Sequence, residues 1–444
     1  MLIVPSLQRE NNQTDRAAAC ARAHNANPLP TMQMHLLHTS DWHLGRALYG
    51  RKRYEEFAAF LDWLADTIER ERIDVLLVAG DVFDTGTPSN RAQQLYYRFL
   101  CRMADTACPC RHVVVVAGNH DSPSFLDAPR ELLKALDVHV IGSRTEQMAD
   151  EVLVLGDRTG RPELIVCAVP YLRDRDIRTA EAGESMEDRE RKLVEGIRDH
   201  YAAVAALAEE QRRRLGADLP IVAMGHLFAA GGQTMDGDGV RDLYVGSLGC
   251  VTAAVFPDCI DYLALGHLHV PQRVGGSATR RYSGSPLAMG FGEAGQAKSV
   301  CRVRFAADQV MVAPLEVPVF QQLERIRGDL AGVLDRLQTL AAAGSRAWLE
   351  IEYTGDEVVG DLRDRLDQAI AGTSMEILRI RNSRLVDGAL GQLHAEETLD
   401  DLDAEQVFLR RLAQEPLPEE QVQELLATYR ETLSSLHDDD LRAE

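Results

Sequence analysis

From Met34 to about residue 310 the chain repeats one pattern: a short apolar run, then a loop crowded with Asp, Asn or His. The runs are His35–Thr39, Asp74–Ala79, His112–Ala117, Leu164–Val169, Pro220–Met224 and Asp261–Leu265. Runs this short and rich in Val, Ile and Leu predict buried strands. Between them, Tyr54–Arg72 and Ser89–Met103 carry helical periodicity. Strands alternating with helices predict an α/β domain with covered sheets. In open α/β sheets chemistry collects at the carboxyl ends of strands, where these polar loops fall.

Residues 317–383 follow another rhythm. A strand near Val317–Ile326, a helix over Leu330–Ala343, a strand over Ala347–Tyr353, a helix over Val359–Ala371 and a strand over Met375–Ile380 predict a small separate β-α-β-α-β unit. A polar linker over 384–403 leads to two short helices, Ala404–Gln414 and Glu419–Leu436, broken by Pro416 and Pro418. Val407, Phe408, Leu409 and Leu412 form an apolar patch on the first, and Val422, Leu425, Leu426 and Tyr429 one on the second. Helices this short bury too little surface to stand alone. They must fold back on the rest of the chain or dock elsewhere. Residues 437–444 form an acidic tail. Residues 1–33 are polar and Ala/Asn-rich, without the basic start and apolar run of a secretory signal, and are expected to be a disordered, dispensable extension.

At 444 residues the chain is long enough for two or three domains. No stretch approaches the roughly 18 consecutive apolar residues that span a bilayer. The net charge of −21 argues against a protein that coats DNA through a basic face. Residues 395–444, with 15 acidic and 4 basic side chains, carry −11 of it. Nucleic-acid contact would therefore need bound metal ions, local Arg clusters or a partner protein. The eight cysteines show no repeated spacing, and their one close pair is Cys108 and Cys110. Neither a structural zinc site nor a disulfide framework is indicated, which makes a reduced, cytoplasmic protein the simplest reading.

The strand-end loops hold the candidate chemistry. Asp41 and His43 follow the first strand, Gly80-Asp81-Val82-Phe83-Asp84 the second, and Gly118-Asn119-His120-Asp121 the third; Gly225-His226 and Gly266-His267-Leu268-His269 end the later two. Oxygen and imidazole donors suit Mn²⁺, Mg²⁺, Fe or Zn²⁺. Asp81, in the middle of the set, is placed to bridge two ions. The glycine before each motif lets the backbone turn sharply off its strand. Each motif alone is weak: Asp-x-His arises by chance, and Gly-His after a strand is commonly a solvated loop. Trp42 and Phe83 fit a core, and Asp84 could cap the helix that begins near Pro88. Five motifs in this order, each at a strand end, make a strong joint signal for phosphoester chemistry.

These motifs resemble the calcineurin-like metallophosphoesterase superfamily, and most fully the nuclease subunits of bacterial double-strand-break repair complexes. The resemblance runs from Met34 to about Leu436. It includes HLLHTSDWHLG, LLVAGDVFDTGTPSNRAQQLYYRFL, VVVVAGNHDSP, DLYVGSLG…FPDCIDYLALGHLH, YSGSPLAMGF (Tyr282–Phe291) and SMEILRIRN (Ser374–Asn382). It implies a four-layer αββα nuclease domain over 34–316, a small α/β capping domain over 317–383 and a C-terminal helical partner-binding segment. Carried over by position, Asp41, His43 and His269 would hold one divalent ion and Asn119, His226 and His267 the other, with Asp81 bridging. The ions, Mn²⁺ by preference and Mg²⁺ otherwise, would sit about 3.5–4 Å apart, clamp a phosphodiester and acidify a water. His120 would be the acid that protonates the leaving sugar oxygen, with Asp84 orienting it.

The resemblance further implies 3′→5′ exonuclease action on duplex ends and endonuclease action on single strands and hairpins. It places residues 404–436 on the base of the coiled coil of a long ATPase. The chain has no Gly-rich Lys-Ser/Thr phosphate loop of its own, so ATP dependence would come from that partner. Arg46, Arg51, Lys52 and Arg53 are either near the DNA path or on a solvated loop. Leu95, Phe99 and Met103 form a stripe that core packing could explain, but the resemblance puts a homodimer contact on their helix and hence a heterotetramer with the ATPase. A small-molecule phosphodiesterase or a phosphoprotein phosphatase is the main rival. Phosphoprotein phosphatases carry Asp-Arg-Gly where this chain reads Asp84-Thr85-Gly86, and neither rival has a use for the helix pair. A non-catalytic scaffold for the ATPase is the rival from another class.

Overall fold

The computed structural model describes residues 33–179, 184–216, 218–229, 252–306, 309–355 and 359–382, together with Leu426 and Tyr429. The expected extension up to residue 32, the linker 384–403, the rest of the helix pair 404–436 and the tail 437–444 lie outside the described residues. The chain forms two compact units, the first ending at Phe320 and the second starting at Gln321.

In chain order the first unit comprises β1 (Gln33–Thr39), a short hairpin of β2 (Ala47–Leu48) and β3 (Arg51–Lys52), α1 (Tyr54–Glu71), β4 (Val75–Ala79), α2 (Asn90–Met103), β5 (His112–Val116), β6 (Val138–Ile141), β7 (Val152–Gly156), β8 (Pro162–Ala168), α3 (Met186–Leu215), β9 (Ile221–His226), β10 (Tyr262–Gly266), β11 (Gln272–Arg273), β12 (Arg280–Tyr282), β13 (Ser299–Ala306) and β14 (Gln309–Glu316). One sheet runs β14-β13-β1-β4-β5-β6, with β1, β4, β5 and β6 parallel. The other runs β11-β12-β10-β9-β8-β7, with β8, β9, β10 and β12 parallel.

Alternation along the strands sorts the core into layers. Leu36, Leu77, Val114 and Val116 meet Val166, Val222, Met224 and Ala264 between the sheets. Leu37, Leu76, Val78, Val113 and Val115 face outward onto Phe57, Phe60, Leu64, Leu95 and Phe99 of α1 and α2. Ile165, Ala223, Leu263 and Leu265 face Ile197, Tyr201, Val204 and Ala208 of α3. The result is an α/β/β/α sandwich. Strands covered on both faces must be apolar at every position, which is why β4 is buried throughout. Trp42 and Phe83 join the core beneath α1 and α2.

Two expectations change. Leu95, Phe99 and Met103 are all buried in this unit's own core, so the stripe fastens α2 to its sheet and is not open to a second copy. The cap of α2 is Ser89, whose hydroxyl accepts from the Ala92 amide at 3.3 Å, so Asp84 does not serve there.

The second unit has three parallel strands, β15 (Leu323–Gly328), β16 (Trp348–Tyr353) and β17 (Glu376–Asn382), joined by α4 (Leu330–Ala342) and α5 (Leu362–Ala369). Its core gathers Ile326, Val333, Leu337, Leu349, Ile351, Leu366 and Ile377. The strand expected from Val317 begins at Leu323. Pro318 has no N–H for a ladder, and Val317 is buried in the first unit, where its amide donates to the Lys298 carbonyl at 2.8 Å.

Candidate metal centre

The seven expected ligands converge. Asp41, His43, Asp81 and Asn119 come from the ends of β1, β4 and β5, and His226, His267 and His269 from β9 and β10. All but Asn119 are buried. His43 Nε2 and His269 Nε2 face each other at 3.2 Å. Asn119 Oδ1 lies 3.0 Å from both His226 Nε2 and His267 Nδ1. Asp81 Oδ2 stands between the two groups, 3.6 Å from His43 Nε2 and 3.3 Å from His226 Nε2. Asp41 offers its carboxylate beside His43 and His269, and again beside Asp81 and His226. Such spacings are those of neighbouring donors around ions bound at about 2.0–2.2 Å. The donor chemistry therefore fits divalent cations.

The outer nitrogens of His226, His269 and His43 each face an oxygen, the arrangement common to ligating imidazoles. His226 Nδ1–H donates to the Ala79 carbonyl at 2.9 Å, leaving Nε2 to face Asp81 and Asn119. His269 Nδ1 lies 3.5 Å from buried Glu293, which is itself paired with Lys298. His43 Nδ1 lies 3.3 Å from the Asp84 carboxylate.

Burial would raise the Asp81 carboxyl, but the His226, His43 and His120 imidazoles outweigh it and hold the group well below the usual carboxylate range. Burial, with His226 nearby, pushes His267 down to about 3. At His226 burial is overcome by Asp81 and Asp41, which push it up to about 9. The anionic pull that would hold a proton there would equally hold a cation. Asp41, His43, Asp81 and His267 adopt φ of +54°, +47°, +50° and +103°, which L-residues avoid unless the surroundings impose it. The glycines do more than turn the chain. A Cβ at Gly118 would overlap Asp81, and one at Gly80 would overlap His226.

His120 is half-buried, and its ring packs edge-on against His43 at 4.9 Å between centroids. Its Nδ1–H donates to the Asp84 carbonyl at 2.8 Å. The Asp84 carboxylate instead meets His43 and, at 3.1 Å, Arg46. Asp84 thus touches His120 through its backbone, a departure from the expected carboxylate–histidine pair. The basic loop divides as well: Arg46 is tied to Asp84 and the Met289 carbonyl, and Arg53 is buried with two bonds to Glu56. Arg51 and Lys52 are exposed.

Three residues with a bearing on the site were not singled out from sequence. Asp121 accepts the amides of Val82 at 3.1 Å, Phe83 at 2.9 Å and Gly118 at 2.9 Å, pinning two ligand loops together. Its place in Gly-Asn-His-Asp was the available signal. Glu293 and Lys298 lie 24 and 29 residues beyond His269, and nothing in their local pattern points back to it.

A two-sheet sandwich with histidine and carboxylate loops at its strand ends defines a calcineurin-like phosphoesterase, and the family model of that description matches residues 34–271. A second model, described as the Type 5 capsule protein repressor C-terminal domain, matches residues 319–416. The SbcD protein of the nuclease SbcCD from Escherichia coli K12 is 38% identical over 410 residues, covering 91% of this chain and 98% of that protein. SbcD of Rhodobacter capsulatus is 32% identical over 366 residues, 79% and 88% of the two chains. SbcD of Bacillus subtilis is 40% identical over 271 residues, 60% and 65%. The chain belongs to the SbcD family within the calcineurin-like phosphoesterases. It is an enzyme of the phosphoester-hydrolase class. Among the described residues no helix is long and apolar enough to cross a membrane.

Proposed function

We propose that this chain is the metal-dependent nuclease subunit of an ATPase–nuclease complex, acting as a 3′→5′ exonuclease on duplex ends and an endonuclease on single strands and hairpins. Asp41, His43 and His269 hold one divalent ion and Asn119, His226 and His267 another, with Asp81 between them. Mn²⁺ is the preferred ion. The observation that carries this reading is the Asp81 carboxylate within 3.6 Å of one ligand group and 3.3 Å of the other. When bound, two such ions supply charge neutralisation at phosphorus and a nucleophile drawn from water.

The chain's own residues do the rest. Asp81 stays anionic, and His226, fixed at Nδ1 by the Ala79 carbonyl, would turn Nε2 to an ion that takes the place of its proton. His120, anchored at Nδ1 by the Asp84 carbonyl, leaves Nε2 as the nitrogen that would pass a proton to the leaving oxygen. Asp84 acts on His43 and Arg46, so its role is to position the site. With a charge of −21, the chain would draw much of its grip on DNA from a partner. That partner is an SbcC-like coiled-coil ATPase docking on residues 404–436, consistent with the relatives' naming as one component of SbcCD. A homodimer in a heterotetramer would use faces of α2 other than the buried stripe. The reduced cytoplasm is the proposed compartment, supported by the free thiols of Cys108 and Cys110 two residues apart.

The test is to incubate the chain with Mn²⁺ and either a labelled DNA hairpin or a chromogenic phosphodiester, with and without the ATPase. Hairpin cleavage that depends on Mn²⁺ and rises with the ATPase is expected. Cleavage of the small ester with DNA untouched under every condition would sink the nuclease reading.

A further inference from the structure

The face of the first sheet that meets the second is apolar along most of its length, but its rim at the amino ends of β5 and β6 is not. Val113 pairs with Val138 and Val114 with His139. Val114 and Val116 point into the inter-sheet core. Alternation therefore sends His112 from β5 and His139 from β6 toward that same face, and Asp137, just ahead of β6, lies beside them. His112 Nε2–H donates to the carbonyl of Gly156, at the end of edge strand β7, at 2.9 Å. This fixes the tautomer and leaves Nδ1 with an open lone pair.

His112 Nδ1 and His139 Nε2 are both buried with no hydrogen-bond partner. Asp137 Oδ1 lies 3.8 Å from His112 Nδ1, and one donor atom from each of the three residues falls within 4.8 Å of the others. The rings stand 5.8 Å apart between centroids. Asp137, at φ +56°, is 68% exposed and opens the cluster to solvent.

We propose that His112, Asp137 and His139 form a binding site for one borderline divalent cation of the zinc class. It is separate from the centre at the strands' carboxyl ends, a strand length of roughly 15 Å away. Two imidazoles and one carboxylate, with a position left to water, are the donor set such ions take. Two buried nitrogens lacking partners are what a ligand would satisfy. Burial, aided by His112, pushes His139 down to about 4, so its ring is neutral at neutral pH. The charge of Lys134 opposes a cation here. That of nearby Arg111 is taken up by Asp74 and Glu163. A bound ion would tie the rims of β5 and β6 together and, through His112, hold them to β7.

The full chain, stripped with chelator and re-equilibrated with buffered Zn²⁺, is to be assayed for metal by mass spectrometry beside Asp137→Asn and His139→Gln. The expected result is one equivalent fewer in each variant, with Mn²⁺-dependent phosphodiester turnover unchanged. Equal zinc content in wild type and Asp137→Asn overturns the proposal. Because Asp137 is exposed, that variant remains decisive even where His139→Gln fails to fold.

Discussion

Adding one methyl group at Gly118 tests whether the site depends on close packing behind Asp81. A Cβ there would fall 2.7 Å from Asp81 Cγ and nearer still to its Oδ1 and amide nitrogen, whereas ordinary contact begins at 3.4 Å. Asp81 or the Gly118 loop must therefore shift by about 1 Å or more, in a core that tolerates little movement. Overpacking of this kind costs about 1–3 kcal/mol. A displacement near 1 Å at a reacting centre costs on the order of 10²-fold in rate. Gly118→Ala is expected to lose at least half of its bound Mn²⁺ after desalting and about 10²-fold in turnover of a phosphodiester, with only a modest fall in urea midpoint. Gly86→Ala is the control, because a Cβ at Gly86 meets nothing closer than 3.7 Å. Wild-type metal content and turnover in Gly118→Ala would refute the reasoning, since Asp81 would then tolerate the displacement that the packing forces on it.

His120→Ala should abolish nuclease turnover and leave metal content intact; metal loss instead would put His120 among the ligands. Asp121→Asn strands at least one of three buried amides, a cost of about 1–3 kcal/mol, partly offset because burial and Asp81 already push the Asp121 carboxyl up to about 6. A fall of roughly 10–100-fold in Mn²⁺ affinity is expected, as for residues that orient ligands, and an unchanged binding isotherm would contradict that role. His38 is buried with Nδ1 2.9 Å from the Tyr262 hydroxyl, and burial pushes it down to about 3. The unfolded chain takes a proton near pH 6.5 and the folded one does not until about 3. Stability is therefore full above 6.5 and falls on acidification by up to about 1.4 kcal/mol per pH unit. Chemical unfolding of His38→Gln between pH 6.5 and 4 should show one proton less in the slope, and an identical slope would exclude His38 as its source.

Much of the centre is legible in the sequence because one geometric fact produces both of its signals. A parallel strand covered on both faces has to be an unbroken apolar run, and where it ends the chain leaves the core and can present polar groups. β4 shows this directly: Val75–Ala79 is wholly buried, and two residues later comes Asp81. The same logic fails for β13, whose apolar run is broken by half-buried Arg302 and exposed Arg304, and for β14, which has no buried position. No continuous run marked them, though β13 pairs with β1. It fails again where a residue's meaning depends on a partner distant in sequence. Leu95, Phe99 and Met103 make the same stripe whether they face a sheet or a second copy. Only the position of the sheet decides, and it decides for the core.

Asp84 carries the point into the chemistry. Its position in the motif is consistent with a helix cap, a partner for His120 or a partner for His43. Two local facts separate them. Ser89 already caps α2, and the turn that sends the Asp84 carbonyl to His120 at 2.8 Å leaves its carboxylate facing His43 and Arg46. A carboxylate so placed polarises a proposed ligand and bonds no proton donor in the reaction. Replacing Asp84 by Asn should therefore weaken Mn²⁺ binding more than it alters the pH profile of turnover. A shifted profile with unchanged metal affinity would return Asp84 to His120.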